Sequence, residues 1–540
     1  MDFDRRSLIG GIGAGAAFSL AAASLARAEG FGLTGGLSSS APEAMGVSSE
    51  ALSDLLAAFA ASPHELHSMV LLRHGHAIAR GSWAPYRPQV PQLLYSLSKS
   101  FTSTAVGFAV AEGRLKLDDR VTAFFPDRCP AVVSANLAAL QVRHLLTMSV
   151  GHAADSTPLI THQQDWVRAF LALPIDRAPG SEFLYDSGAS YMLSAIVQKV
   201  TGQKLIDYLR PRLFHPAGMG DVDWAICPMG VNTGGWGLKI TSDALARFGQ
   251  LYLQDGQWES RQLLPAGWAA EASRAHIRQP LTGGPSGVSP SALLQISDWH
   301  QGYGYQFWRC RHGAYRGDGA FGQFCVVMPK ERAVAAITSF TSDMQGLLNL
   351  VWDHFLSKLR SDPLPPNPYA ARRLASTLAA LALARPPGAL ESPVARKISG
   401  HGFGLDANTM DARSLVLHAD GSTCRFELDV GGVRSVVTAG MGRWIEGFTS
   451  MPGTPPEFTE LVGRDASPPR PVRVAAAAAW PSENRLEMQW RYCETPHHDT
   501  VTCLFEGDRI RVSFRNNITV LSSVHAETRP PLSGQLAAAV

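Results

Sequence analysis

In the last third of the chain, apolar side chains recur at every second position. Cys424, Phe426, Leu428 and Val430 alternate with Arg425, Glu427 and Asp429. Leu486, Met488, Trp490 and Tyr492 repeat the pattern, as do Ile510, Val512 and Phe514, and Gly-Asp and Pro-His-His-Asp turns separate the runs. A helix would scatter such residues around its circumference, whereas a strand collects them on one face. Several such segments in succession demand an all-β sandwich or barrel, expected over 399–528, with one sheet face buried.

The preceding sequence has another texture. Ser48 to Ser62 reads as a helix, and "SMVLLRHGHAIARGSWA" reads as two strands around a Gly turn. Leu97, Phe101, Ala105 and Phe108 then fall at helical spacing, with Gly113 as the stop. Helical and loop-rich sequence runs to about Arg278, before "GYGYQFWRCRHGAYRGDGAFGQFCVVMPKERAVAAITSF" returns to aromatic and β-branched strand chemistry. A helix from about Met344 to Leu359 closes the region. Strands, a helical insert, then strands and a helix predict an α+β domain over 29–360, with one antiparallel sheet flanked by helices and an all-helical lobe. "SDPLPPNPYA" marks its end, and 361–398 reads as a Pro-rich and helical linker.

Residues 1–28 read as an export leader. Arg5-Arg6 precede a short Gly/Ala/Leu run, and Ala26-Arg27-Ala28 has the small-x-small form of a cleavage site. The twin arginines, with Leu8 two positions on, resemble a twin-arginine signal and imply a periplasmic or secreted protein. An uncleaved anchor is the competing reading, although the run is short and Gly-rich for a span. Gly11-Ile12-Gly13-Ala14-Gly15 lacks the preceding strand and the acidic partner of a dinucleotide loop. No other stretch reaches the apolar length of a membrane helix, so the mature form is expected to have no stable membrane span.

A 45% hydrophobic, 17% charged composition is globular, and no basic block interleaves with aromatics, so nucleic acid is not an expected partner. The seven cysteines form no C-x-x-C pair. Cys493 and Cys503, which flank an expected hairpin, are the best-placed pair should a disulfide form. His497 and His498 in "TPHHDT" read as a solvated turn, and no metal or cofactor is expected.

Chemistry enters at "QLLYSLSKSFTST". Among eight lysines, Lys99 alone follows a serine by three residues, Ser96. About one such spacing would arise by chance, so a surface lysine at a Ser-rich helix start is the bland alternative. On a helix these two side chains share a face, and the helix N-terminus offers free N–H groups to an oxyanion. A lysine beside a serine can act as its base only if burial or a neighbouring cation keeps a fraction neutral.

Longer blocks decide between these readings. "YSLSKSFTST", "GRLKLDDRVTAFFP", "VRHLLTMSVGH", "APGSEFLYDSGASYMLSAIVQKVTG", "GGWGLKITSDALARFGQLYLQDG", "GYGYQFW" and "DGAFGQFCVVMP" occur in order. Together they resemble the serine β-lactamase family, which includes class C β-lactamases, penicillin-binding D-alanyl carboxypeptidases and family VIII esterases. The resemblance spans about Ser48 to Leu359 and implies a β-lactamase/transpeptidase-like fold. It implies Ser96 as nucleophile and Lys99 with Tyr185 as proton acceptors. The family's Tyr-x-Asn motif appears as Tyr185-Asp186-Ser187, which resembles the variant of esterase-like and 6-aminohexanoate-oligomer hydrolase-like members. A phenol there would relay the proton to the leaving group and titrate together with the lysine; a buried loop tyrosine is its alternative.

The third motif departs from the family. In place of Lys-Thr-Gly or His-x-Gly stands Gly317-Asp318-Gly319, followed by Ala320. Gly319 would allow close backbone approach, and the Ala320 N–H is the expected second oxyanion donor beside that of Ser96. Asp318, unless a mere turn residue, would not hold a substrate carboxylate. A neutral ester or amide, or a substrate bearing an amine, therefore fits better than a β-lactam. His312 reads as a hairpin-loop residue, and Trp166 and Trp236 as acyl-pocket or core residues. No Gly-x-Ser-x-Gly elbow is present. The expectation is an exported serine hydrolase acting on a small ester, amide or lactam. A D-alanyl carboxypeptidase-like or β-lactamase activity, or a non-catalytic ligand-binding relative, is the alternative. The sequence carries no signal of an oligomeric state.

Overall fold

A computed structural model describes residues 37–281, 288–453, 470–521 and 527–537. The leader read over 1–28 lies outside the described residues. Strands β1 (Glu65–Arg73), β2 (His76–Ser82), β3 (Trp308–Arg309), β4 (Tyr315–Gly319), β5 (Gln323–Met328) and β6 (Ala333–Phe340) form one antiparallel sheet in the order β2-β1-β6-β5-β4-β3. The pairing of Glu65 with Phe340 and of Arg73 with Ala333 joins segments some 270 residues apart in sequence. The long excursion between β2 and β3 is the helical lobe.

Both faces of this sheet are covered, which is why its strands read as nearly continuous apolar runs. Leu66, Met69 and Leu71 face helices α1 (Ser49–Ala61) and α5 (Met344–His354), packing with Leu52, Leu55, Phe59, Leu347 and Val351. The intervening Val70 and Leu72 face helices α2 (Ser98–Ala111) and α4 (Ser242–Leu253). Ser48 caps α1, its hydroxyl accepting from the Ala51 amide at 3.1 Å. In the segment read as a linker, helix α6 (Pro368–Ala379) lends Leu374 to the cluster beneath α1.

The C-terminal part is a barrel rather than a sandwich. Its strands are β7 (Gly402–Leu405), β8 (Ala412–Ala419), β9 (Thr423–Val430), β10 (Val433–Met441), β11 (Ile445–Thr449), β12 (Val472–Ser482), β13 (Arg485–Tyr492), β14 (His498–Glu506), β15 (Arg509–Asn516) and β16 (Leu532–Leu536). They run β10-β9-β8-β7-β16-β15-β14-β13-β12, with β11 also on β12. A short parallel pairing, Gly440 with Ala477 and Met441 with Ala478, closes the ring. The predicted alternation fills the interior with Phe426, Leu428, Leu486, Met488, Trp490, Ile510 and Val512.

All seven cysteines are free thiols, which corrects the expected pairing of Cys493 with Cys503. Cys503 lies opposite Leu486 in the β13–β14 register, whereas Cys493 lies beyond the opposite end of β13. At about 3.3 Å per residue the two sulfurs are held far outside bonding range.

The β13–β14 turn is also where the barrel meets the first domain. Arg491 donates two hydrogen bonds to Glu65, at 2.7 and 3.0 Å. The Tyr86 hydroxyl donates to the Thr495 carbonyl at 3.1 Å, and the Leu93 amide to that of Glu494 at 2.8 Å. Lys239 pairs with the Glu494 carboxylate at 2.7 Å.

Candidate functional site

Ser96 occupies a single 3-10 turn, Tyr95–Leu97, that leads directly into α2. Ser98 fixes this turn: its hydroxyl donates to the Tyr95 carbonyl at 2.6 Å and accepts from the Leu238 amide at 3.1 Å. One turn further on, Lys99 returns beside Ser96, as the three-residue spacing requires. Its Nζ lies 3.1 Å from Ser96 Oγ, 2.9 Å from Ser187 Oγ and 2.8 Å from the Gly235 carbonyl.

Lys99 is 2% exposed. Burial pushes its ammonium down to about 7, against the opposing pull of the Asp155, Asp318 and Asp186 carboxylates. A neutral Lys99 has two N–H groups and a lone pair. The carbonyl of Gly235 can only accept, so it takes one N–H; Ser187 can take the other, leaving the lone pair for the Ser96 hydroxyl.

The Tyr185 ring lies 4.8 Å from Lys99 Nζ. Burial, reinforced by the Asp318 charge, drives its phenol well above its ordinary value, and the hydrogen bond with Ser96 does not reverse this. Tyr185 therefore remains a phenol at neutral pH, and Lys99 is the group that changes protonation there. Asp186 caps helix α3 (Ser187–Thr201), accepting from Gly188 N at 2.9 Å and Ser156 Oγ at 2.6 Å, with His152 Nδ1 at 2.9 Å from its other oxygen. Burial alone would raise its carboxyl, yet the His152 and Ser156 contacts outweigh burial and hold it low. These bonds tie the Tyr185-Asp186-Ser187 segment to the loop that carries His152 and Ser156.

The third motif forms the opposite wall. A Cβ on Gly319 would stand 2.0 Å from the Leu94 carbonyl oxygen, and one on Gly317 2.6 Å from Ser100 Oγ, so β4 lies directly on the Ser96 turn. Ala320 follows in the turn to β5, its carbonyl held by Gln323 Nε2 at 3.1 Å. Among the described backbone hydrogen bonds, neither the Ser96 nor the Ala320 amide donates to a protein acceptor.

Asp318 is a strand residue, not a turn residue, and its charge is already met. Arg316, buried two positions earlier on the same strand face, reaches Asp318 Oδ2 with Nη2 at 2.8 Å and Nε at 3.0 Å. The guanidinium also stacks over Trp299 at 4.2 Å. The Trp308 indole bonds to Asp318 as well, while burial raises its carboxyl. Asp318 is thus committed within the protein, which removes the main ground for expecting it to seat a substrate amine.

All seven sequence-derived residues (Ser96, Lys99, Tyr185, Ser187, Asp318, Gly319 and Ala320) gather at this one place. Trp166 and Trp236 stack on each other at 5.9 Å as buried core. His312 lies exposed in the β3–β4 loop. The solvated reading is corrected for His497, whereas His498 stays partly exposed. His497 is 0% exposed, and the Tyr95 hydroxyl hydrogen-bonds to its Nε2. Sequence reasoning also missed the Gly235 carbonyl, Arg316 and the aromatic wall in which Trp308 stacks on Tyr185 at 5.5 Å. The Arg-x-Asp spacing on a strand was the available signal for Arg316.

Comparison with known proteins matches residues 66–347 to the Beta-lactamase family, more than half of the chain. The chain is 29% identical to penicillin-binding protein 4 of Amycolatopsis lactamdurans over 52% of its own length and 82% of that protein. It is 24% identical to the 6-aminohexanoate-dimer hydrolase of Paenarthrobacter ureafaciens, over 40% of this chain and 59% of the other. Esterase EstB of Burkholderia gladioli is 29% identical over 29% of this chain and 44% of its own.

Proposed function

Because the chain belongs to the beta-lactamase family of serine hydrolases, we propose that it cleaves carboxylic ester or amide bonds through an acyl-enzyme on Ser96. The observation that carries this reading is the buried Lys99 amine, poised to titrate near 7 and 3.1 Å from Ser96 Oγ.

Neutral Lys99 takes the proton of Ser96 as Oγ attacks the carbonyl carbon. The oxyanion forms toward the Ser96 and Ala320 amides, where one donor is worth about 3–4 kcal/mol. The tetrahedral intermediate expels the alkoxide or amine, which leaves protonated by the Lys99 ammonium through the Tyr185 phenol. Water then attacks the acyl-enzyme as Lys99 takes its proton. The second tetrahedral intermediate collapses, the Lys99 ammonium returns that proton to the departing Ser96 Oγ, and the acid, the Ser96 hydroxyl and neutral Lys99 are released. Ser187 takes no covalent part and holds Lys99 in place.

An ester or amide is favoured over a β-lactam because the third motif, Gly317-Asp318-Gly319, carries no cation, and Arg316 just before it is buried against Asp318 and not offered to a substrate carboxylate. Esterase EstB and the 6-aminohexanoate-dimer hydrolase among the relatives support the same choice. The twin-arginine-type leader read over residues 1–28 supports a periplasmic or extracellular enzyme in this reading.

Intact mass after exposure to a fluorophosphonate tests it. A single phosphonyl adduct on wild type that is absent from Ser96→Ala is expected. No adduct on folded wild type would overturn the reading.

A further inference from the structure

Both backbone donors proposed for the oxyanion adjoin a non-glycine residue in the left-handed region. Tyr95, just before Ser96, has φ +49°, and Phe321, just after Ala320, has φ +67°. Such residues carry on the order of 1–3 kcal/mol of strain each and persist only where their surroundings over-determine them. One side chain touches both. His497, from the turn that joins barrel strands β13 and β14, lies edge-on to the Tyr95 ring at 6.0 Å and to the Phe321 ring at 5.4 Å. The Tyr95 hydroxyl also hydrogen-bonds to its Nε2.

The polarity of this contact is fixed. Asn517 gives its Nδ2 to the Pro496 carbonyl at 3.0 Å, so its Oδ1 is the acceptor facing His497 Nδ1 at 3.3 Å. Nδ1 therefore carries the proton, and Nε2 accepts from Tyr95. Burial pushes the imidazole down to about 3, so the acceptor persists throughout the range in which Lys99 works.

We propose that His497 is a positioning residue for the oxyanion hole: through Tyr95 and Phe321 the barrel sets the spacing of the Ser96 and Ala320 amides. The barrel is then part of the catalytic apparatus rather than an appended module. The proposal rests on the serine-hydrolase reading above. Displacing such donors by about 1 Å costs on the order of a hundredfold in rate, so losing one strut should be plainly measurable.

The test uses the full chain and fluorophosphonate as probe, following the second-order rate of labelling, the final labelled fraction and the melting temperature for wild type, Tyr95→Phe, His497→Ala and His497→Gln. Tyr95→Phe and His497→Ala should label at least about tenfold more slowly while still reaching full occupancy. His497→Gln, which keeps an acceptor, should recover most of the rate. A lower melting temperature at an unchanged rate would reduce His497 to a packing role and overturn the proposal. If His497→Ala does not fold, Tyr95→Phe decides alone: slow labelling supports the strut, and a wild-type rate refutes it. Wild type without any adduct would remove the hydrolase reading itself and this proposal with it.

Discussion

Lys99 Nζ stands 3.1 Å from Ser96 Oγ, and nothing else about the pair matters as much as the burial of the amine. An exposed lysine would be a cation at pH 7 and useless as a base. With its proton affinity brought to about 7, the neutral fraction grows as pH rises through that value. Labelling should be slow below pH 6, climb through about 7 and level off above 8. Lys99→Ala should cost about 10²–10⁴-fold. Lys99→Arg should not rescue, since a guanidinium stays protonated. A pH-independent rate in wild type would contradict the assignment.

Asp318 modulates that titration while anchoring Arg316. Its negative charge favours the Lys99 ammonium, so Asp318→Asn should lower the Lys99 proton affinity and move the rise in labelling to lower pH. The same change leaves Arg316 buried without its charge partner, at a cost of about 3–5 kcal/mol. Labelling-rate profiles and urea melts on one preparation separate the two effects.

Gly319→Ala tests the close approach of β4 to the Ser96 turn. The new methyl would meet the Leu94 carbonyl, a backbone atom that cannot rotate away. The strand must withdraw from Ser96, and about a hundredfold loss of labelling rate is expected, with at most about 1–3 kcal/mol of destabilisation. Labelling at the wild-type rate would show that the oxyanion geometry does not depend on this contact.

The side chains of the candidate site were legible in the sequence because their spacing is local: three residues along a helix for Ser96 and Lys99, and consecutive positions for Tyr185 to Ser187 and Gly317 to Ala320. Strand alternation likewise foretold which faces of β9, β13 and β15 turn inward. What escaped has either no residue-type signature or a distant partner. The Gly235 carbonyl is a backbone atom. His497 sits in a Pro-His-His-Asp stretch whose composition reads as a solvated turn, and its partner Tyr95 lies about 400 residues earlier. Barrel closure depends on two parallel pairs, which alternation cannot report. It also depends on β12, whose buried run from Val474 to Trp480 is mostly alanine and gives no contrast between faces.

The Glu65–Arg491 pair joins the sheet of the first domain to the barrel and gives their docking a pH dependence. Arg491 is 3% exposed and Glu65 is partly covered. Burial alone would raise the Glu65 carboxyl, but the Arg491 charge and the His67 hydrogen bond outweigh it and hold the group far below its ordinary 4.5. The folded state therefore binds fewer protons here than the unfolded chain. The pair's contribution is present in full above about pH 4.5 and is lost progressively as pH falls below it. Glu65→Gln should destabilise by about 3 kcal/mol at pH 7, and the gap should narrow steadily as pH falls from about 4.5 toward 3. Thermal melts of both proteins across that range provide the measurement, and a gap that stays constant with pH would rule out the ion pair as its source.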